Sequence, residues 1–178
     1  MITGELKSQI DRIWDTFWSG GIANPLEVME QLTYLLFIKR LDDLHTAQEK
    51  KANRLGRPLE GRVFPEGKNE RGVPYEDLRW SRFKNFDAQA MFDVVNESVF
   101  PFMRNLQGAR EDSTYARHMK DARFTIPTPA LLAKVVDLLD HVPMEDRDTK
   151  AMSTSICWAR SRARARMGSS APRATSYA

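Results

Sequence analysis

Cysteine is almost missing from this 178-residue chain: the only one is Cys157. A disulfide framework is therefore excluded, and a reducing cytoplasm is the default expectation. No run of about 18 apolar residues occurs, so no segment reads as a membrane span. The N-terminus carries Glu5, Lys7, Asp11 and Arg12 among its apolar residues and so lacks the apolar core of a secretory signal. There is no Gly-x-Gly-x-x-Gly fingerprint and no phosphate-binding loop. His45, His118 and His141 are scattered, with no partner at metal-ligand spacing, and read as surface or partly packed side chains. Acid is missing too, but only locally. All 24 acidic residues lie within residues 1–148, which are net −3. Beyond Asp148 come Lys150, Arg160, Arg162, Arg164, Arg166 and Arg173 with no acid at all. The formal charge of +3 and the pI near 9.1 therefore belong to the tail alone.

What is present is helical periodicity. Leu6, Ile10, Ile13, Trp14 and Phe17 recur at three-to-four spacing over residues 4–18, and Gly20 and Gly21 stop the helix. Asn24-Pro25-Leu26-Glu27 restarts one, with Asn24 as N-cap, Pro25 at the first helical position and Glu27 completing a capping box. From Val28 to about Glu49 the segment is apolar nearly all round between Leu32 and Ile38, which predicts a buried central helix. Asp42-Asp43 beside Lys39-Arg40 reads as its solvated face. Residues 50–86 are polar and punctuated by Gly56, Pro58, Gly61, Pro65, Gly67, Gly72 and Pro74, a loop long enough to be functional or mobile.

A helix resumes at about Asp87 with Met91, Val94, Val95 and Val99 on one stripe, and Pro101 breaks or kinks it. A short helix is expected around Ser113–Ala122. Thr128 and Pro129 cap a last one, in which Leu131, Leu132, Val135, Val136 and Leu139 face the core and which Pro143 ends. Met91, Met103, Met119 and Met144 read as core fillers. The fold class is all-α: a compact bundle of about five helices with one long irregular loop (about 50–86) and a C-terminal tail expected to be disordered or loosely attached.

No catalytic constellation emerges. Asn24-Pro25 resembles the start of the Asn-Pro-Pro-aromatic signature of amino-methylating enzymes, but Leu26 breaks it. The interaction candidate is Arg79-Trp80-Ser81-Arg82-Phe83-Lys84-Asn85-Phe86. Alternating cations and rings suit phosphates and bases, which makes Arg79, Trp80, Arg82 and Lys84 the DNA-contact candidates. The plainer alternative has Trp80, Phe83 and Phe86 anchoring the loop while the cations face water.

Several blocks carry a family resemblance. Trp14-Asp15-Thr16-Phe17-Trp18-Ser19-Gly20-Gly21-Ile22, Asn24-Pro25-Leu26-Glu27 and Glu30 to Asp42 form the first. Leu78-Arg79-Trp80-Ser81, Val99-Phe100-Pro101-Phe102, Met119-Lys120-Asp121-Ala122 and Ile126-Pro127-Thr128-Pro129 follow in order. Together they resemble the N-terminal domain of modification subunits of type I restriction–modification systems. That family comprises adenine-N6 DNA methyltransferases using S-adenosylmethionine, with a helical domain ahead of a Rossmann-like catalytic one. The resemblance implies that residues 1–148 are the helical domain, truncated before the catalytic half. No catalytic, cofactor or metal residue carries over, and no methyl transfer is expected of this chain alone. The implied partners are the specificity subunit, a second modification subunit, the restriction subunit and double-stranded DNA. Self-association is expected through apolar surface that the missing half would cover. Two other readings compete: a free-standing DNA-binding protein using the tail and the Arg79–Lys84 segment, and a purely structural assembly adaptor.

Residues 149–178 form no domain in this reading. In the family, Asp-Thr-Lys leads into Gly-Asp-Val-Tyr-Glu-Tyr-Met-Leu-Gly-Lys. Shifted back by one base, Cys157-Trp158 forces a leucine and Trp158-Ala159 a glycine, at the family's Leu-Gly. Ala151 to Ile156 permit Gly-Asp-Val-Tyr-Glu-Tyr, and Met167 to Arg173 permit Asn-Gly-Gln-Phe-Arg-Thr-Pro. Loss of one nucleotide after Lys150 accounts for all of this. A natural, DNA-binding basic tail is the alternative.

Overall fold

The computed structural model describes residues 4–59, 61–106, 119 and 121–142. The side chain of Leu6, the expected helix around Ser113–Ala122 apart from its last residues, and Met144, Pro143, His118 and the basic tail lie outside these.

Helix α1 (Gly4–Ser19) buries Ile13 and Phe17, with Ile10 and Trp14 packed half-buried beside them. It ends on a tight reversal. Ile22 N donates to Phe17 O at 3.2 Å and Gly21 N to Trp18 O at 3.3 Å, with Gly21 at φ 96°, a backbone state that costs a side-chain-bearing residue energy. Ile22 is buried in the same core as Phe17.

Helix α2 (Pro25–Leu55) starts on the expected N-cap, Asn24 Oδ1 accepting from Leu26 N at 3.1 Å with Pro25 in the first turn, but Glu27 makes no bond back to Asn24 and the capping box does not form. Its 31 residues make a rod of about 46 Å. Val28, Leu32, Leu35, Leu36 and Ile38 are buried, as a central helix requires. It runs past the expected end near Glu49 to Leu55, stopping at Gly56 (φ 60°). Lysines and arginines favour helix over loop, and no breaker occurs before Gly56. The irregular stretch is therefore narrower than 50–86. A 3-10 turn (Tyr75–Leu78) and a one-turn helix α3 (Trp80–Phe83) order its far end.

Asp87 caps α4 (Ala88–Val94), its Oδ1 accepting from Gln89 N and Ala90 N. The chain then passes through a π-turn (Val95–Val99) straight into α5 (Phe100–Asn105). Pro101 does not break this helix. The wider turn just upstream absorbs the missing N–H and the ring's clash with the preceding turn. Met91, Val95, Val99 and Met103 form the buried stripe.

Helix α6 (Pro129–Asp140) opens with Thr128 Oγ1 accepting from Leu131 N at 3.3 Å and buries all five expected residues. It packs against α1 and α4. The segment before it is held by Gln31, fully buried on α2, whose Nε2 donates to Arg123 O at 2.7 Å and whose Oε1 accepts from Thr125 N at 3.3 Å. Edge-to-face rings (Tyr34 on Phe100, Phe100 on Phe124, Phe124 on Phe92) tie α2, α5, this segment and α4 together. Met119 is buried as expected. The described residues form an all-helical fold with no strand, only one isolated bridge between Lys68 and Pro74.

Candidate functional site

The apolar stripe of α2 does not stop where its residues turn polar. Val28, Gln31, Leu35, Ile38 and then Asp42, His45 and Glu49 follow one another at three-to-four spacing, so the same face keeps pointing inward. Asp42 and Lys39 are consequently buried, at 4% and 7% exposure. This corrects the solvated-face reading of Lys39 and Asp42. Their charges are tolerated because each meets a complete set of partners.

Arg79 supplies most of them. Its Nε donates to Asp42 Oδ1 at 2.6 Å, its Nη2 to Thr46 Oγ1 at 2.9 Å, and its two terminal nitrogens reach the two oxygens of Glu49 at 3.2 and 3.1 Å. Glu76 lies 3.6 Å from Nη1. Burial disfavours this cation, but the hydrogen bonds it donates to Asp42 and Glu49 outweigh that and raise its pKa. The other oxygen of Asp42 accepts from Ser81 N at 2.7 Å and so caps α3 from outside, where Arg79, its own N-cap residue, offers no side-chain cap.

The segment's other side is held by α6. Trp80 is buried, with its Nε1 donating to Asp140 Oδ1 at 2.8 Å; Lys84 Nζ donates to Asp140 Oδ2, also at 2.8 Å. Desolvation pushes the Asp140 carboxyl up, but these two donors prevail and hold it below the ordinary carboxylate range. Lys39 finishes the arrangement by reaching across from α2. Its Nζ donates to the carbonyls of Leu139, Asp140 and Val142 at 2.7, 3.0 and 2.9 Å, placing a cation on the negative end of α6. It also sits 5.9 Å from the Trp80 ring centroid. Burial lowers its pKa, against the attraction of Asp140 and Asp43.

Of the four residues singled out from the sequence, three thus point into the protein: Arg79 and Trp80 are buried, and Lys84 is half-buried on Asp140. Arg82 alone stays exposed, 3.1 Å from Glu76. Phe83 is buried and Phe86 packs half-buried against the core, so the rings anchor this segment. The cations do not all face water, however, and that half of the plainer reading is corrected. Asp42, Glu49, Lys39 and Asp140 were missed as their partners. The signal was available in the unbroken spacing of the α2 stripe, but a charged residue at a core position reads as solvated until its partner is placed.

His45 also departs from expectation. It is buried, not superficial; its Nδ1 accepts from Phe64 N at 3.4 Å, and its ring meets Phe64 edge-on at 5.5 Å. With Nδ1 an acceptor, the proton sits on Nε2, 3.4 Å from Glu49 Oε1. Burial first, and Arg79 second, lower its pKa, so the ring is neutral at pH 7. His141 is exposed, its Nδ1 2.7 Å from Asp137 O. Among the described residues no group of three or more His, Cys, Asp and Glu side chains comes together as a metal site.

Chemically, this cluster joins elements. Each of its charged groups is tied to partners on another element, and no nucleophile in it stands beside a free base. No helix among the described residues is long and apolar enough to cross a membrane. No curated protein and no solved structure matched the chain. A family model described as the HsdM N-terminal domain matches residues 6–139, covering nearly all of α1 and of α6. The protein accordingly belongs to the HsdM N-terminal domain family, the helical N-terminal region of type I restriction–modification methyltransferase subunits.

Proposed function

We propose that this chain acts as an assembly and DNA-contact domain within a type I methyltransferase complex and performs no methyl transfer by itself. The family match over residues 6–139 carries this reading. Its partners are then the specificity subunit first, a second modification subunit and the restriction subunit, with double-stranded DNA threaded among them. Trp18 and Leu26, both about half exposed on either side of the α1–α2 corner, support a protein-contact role, since exposed tryptophan is the commonest kind of interface anchor.

S-adenosylmethionine belongs to the full-length family in this reading, not to these residues. The same reading takes residues 149–178 as an out-of-frame continuation. An intact frame in the gene across the Lys150 codon and beyond rejects that part.

A pull-down of tagged specificity subunit, with and without duplex DNA, tests the main reading. Retention of this chain supports it, and Trp18→Ala is expected to weaken retention several-fold. Failure to associate under either condition, or methyl transfer by the purified chain, overturns it.

A further inference from the structure

Among the described residues, exposed cations gather at the end of α2 as well as near Arg79–Lys84. Arg79 and Lys84 are committed to Asp42, Glu49 and Asp140, but the last turns of α2 and the residues after them carry Lys50, Lys51, Arg54 and Arg57. Between Glu49 and Glu60 there is no acid. All four are exposed and none forms an ion pair with another described residue. Here the chain turns back on itself past Pro58, and a groove of about 570 Å³ opens between the end of α2 and the following loop. Thr46, Glu49, Lys50 and Asn53, one face of the helix at three-to-four spacing, form one wall; Arg57 and Arg62 complete it. The one acid among these residues, Glu49, is ion-paired with Arg79, which it shares with Asp42. Arg62 is paired with Glu66, 2.7 Å away, in an exposed and therefore weak contact.

We propose that this groove seats the sugar-phosphate backbone of double-stranded DNA, with Lys50, Arg57 and Arg62 on the phosphates and Asn53 and Thr46 as hydrogen-bonding neighbours. The lining excludes the other common occupants. A small-molecule pocket is mostly apolar, and this one is mostly charged and polar. A single strand needs aromatic platforms for its bases, and no ring lines the groove. Three cations against one ion-paired acid among the described lining residues, beside amide and hydroxyl groups, match the phosphodiester chemistry that positions a protein on a duplex without reading its sequence. The inference rests on the DNA-contact reading above and moves that contact from Arg79–Lys84 to the end of α2. The bland alternative is that these cations merely complement the negative end of the helix.

The test is duplex binding by the full chain, followed by fluorescence anisotropy over a salt series. The variants are Lys50→Gln/Arg57→Gln/Arg62→Gln and, as a charge-matched control, Arg12→Gln/Arg104→Gln/Lys134→Gln, all exposed positions. Cations of residues 149–178 remain in every variant and contribute equally. The groove variant is expected to lose affinity at least tenfold and to flatten the log K against log salt slope by about 0.9 per phosphate contact removed. The control is expected to retain the parent slope. Equal losses in both variants, or a groove variant that melts earlier yet binds with the parent slope, overturn the groove. No duplex binding by the parent chain overturns the DNA-contact reading and the groove with it. The single variants Lys50→Gln and Arg57→Gln, each about one third of the slope change, settle the matter if the triple variant does not fold.

Discussion

Lys39, midway along α2, places its ammonium 2.7 Å from the carbonyl oxygen of Leu139, one hundred residues away at the end of α6. It donates as well to Asp140 O and Val142 O, so one side chain serves three carbonyls where the helix ends, of which Leu139 O also accepts from Val142 N at 3.1 Å. One side chain thereby couples the central helix to the last one, and the Trp80 ring shields the contact.

Replacing that ammonium by an apolar group of similar length isolates its effect. Lys39→Met keeps the packing but strands buried carbonyls, and is expected to cost roughly 2–3 kcal/mol. Chemical denaturation of the two proteins measures it. Equal midpoints would show that water replaces the lysine without loss.

Arg79 and Arg82 lie three residues apart and are expected to behave oppositely. Arg79→Ala leaves Asp42 and Glu49 facing an empty, largely buried site and is expected to destabilise by about 3–5 kcal/mol. Arg82→Ala removes only an exposed contact to Glu76, under about 1 kcal/mol. Arg79→Lys keeps the charge but loses the forked geometry and should fall between them. Thermal melts rank the three, and a similar cost for Arg79→Ala and Arg82→Ala contradicts the cluster as described.

Acid dependence follows from His45. Its pKa in the folded protein lies below the ordinary 6.5, so the unfolded chain binds a proton at higher pH than the folded one does. Stability is therefore full above about pH 6.5 and falls as pH drops below it, until the folded ring itself protonates. Asp140, whose folded pKa is likewise lowered, adds a second loss only at more acid pH, below the ordinary carboxylate value of 3.8. His45→Gln should flatten the first decline and leave the second. A parent protein equally stable at pH 5 and pH 7.5 is the contrary result.

At Gly20 the constraint is a close approach. A β-carbon there meets both terminal methyls of Leu131 at 2.5 Å, and Leu131 is itself buried in α6. Gly20→Ala is expected to cost about 1–3 kcal/mol by overpacking. Combined with Leu131→Ala, which alone opens a cavity, the penalty should be clearly less than additive. Strict additivity would place the glycine's effect in the backbone alone.

Much of this protein was legible one residue at a time. Asn24, Asp87 and Thr128 act on amides two or three residues away, and the stripes of α1, α4 and α6 bury side chains that neighbour one another on the same helix. Such features depend on local backbone geometry, which spacing encodes directly. Motif order likewise pointed to the family that the match over residues 6–139 establishes. Pro101 was harder: its missing N–H was plain, but whether a π-turn would absorb it depended on packing either side.

Only the tertiary structure decided the fate of the charges. Lys39 and Asp42 read as a wet helix face, and Arg79 and Lys84 as free cations, because a charge is buried or solvated according to its partner. Those partners lie 37 residues apart for Arg79 and Asp42, and 56 for Lys84 and Asp140. Periodicity reports which face a residue occupies but carries no information about what another part of the chain brings to that face. Helix, cap and core were set by neighbours in sequence; which cations remain exposed for a partner was set by neighbours in space.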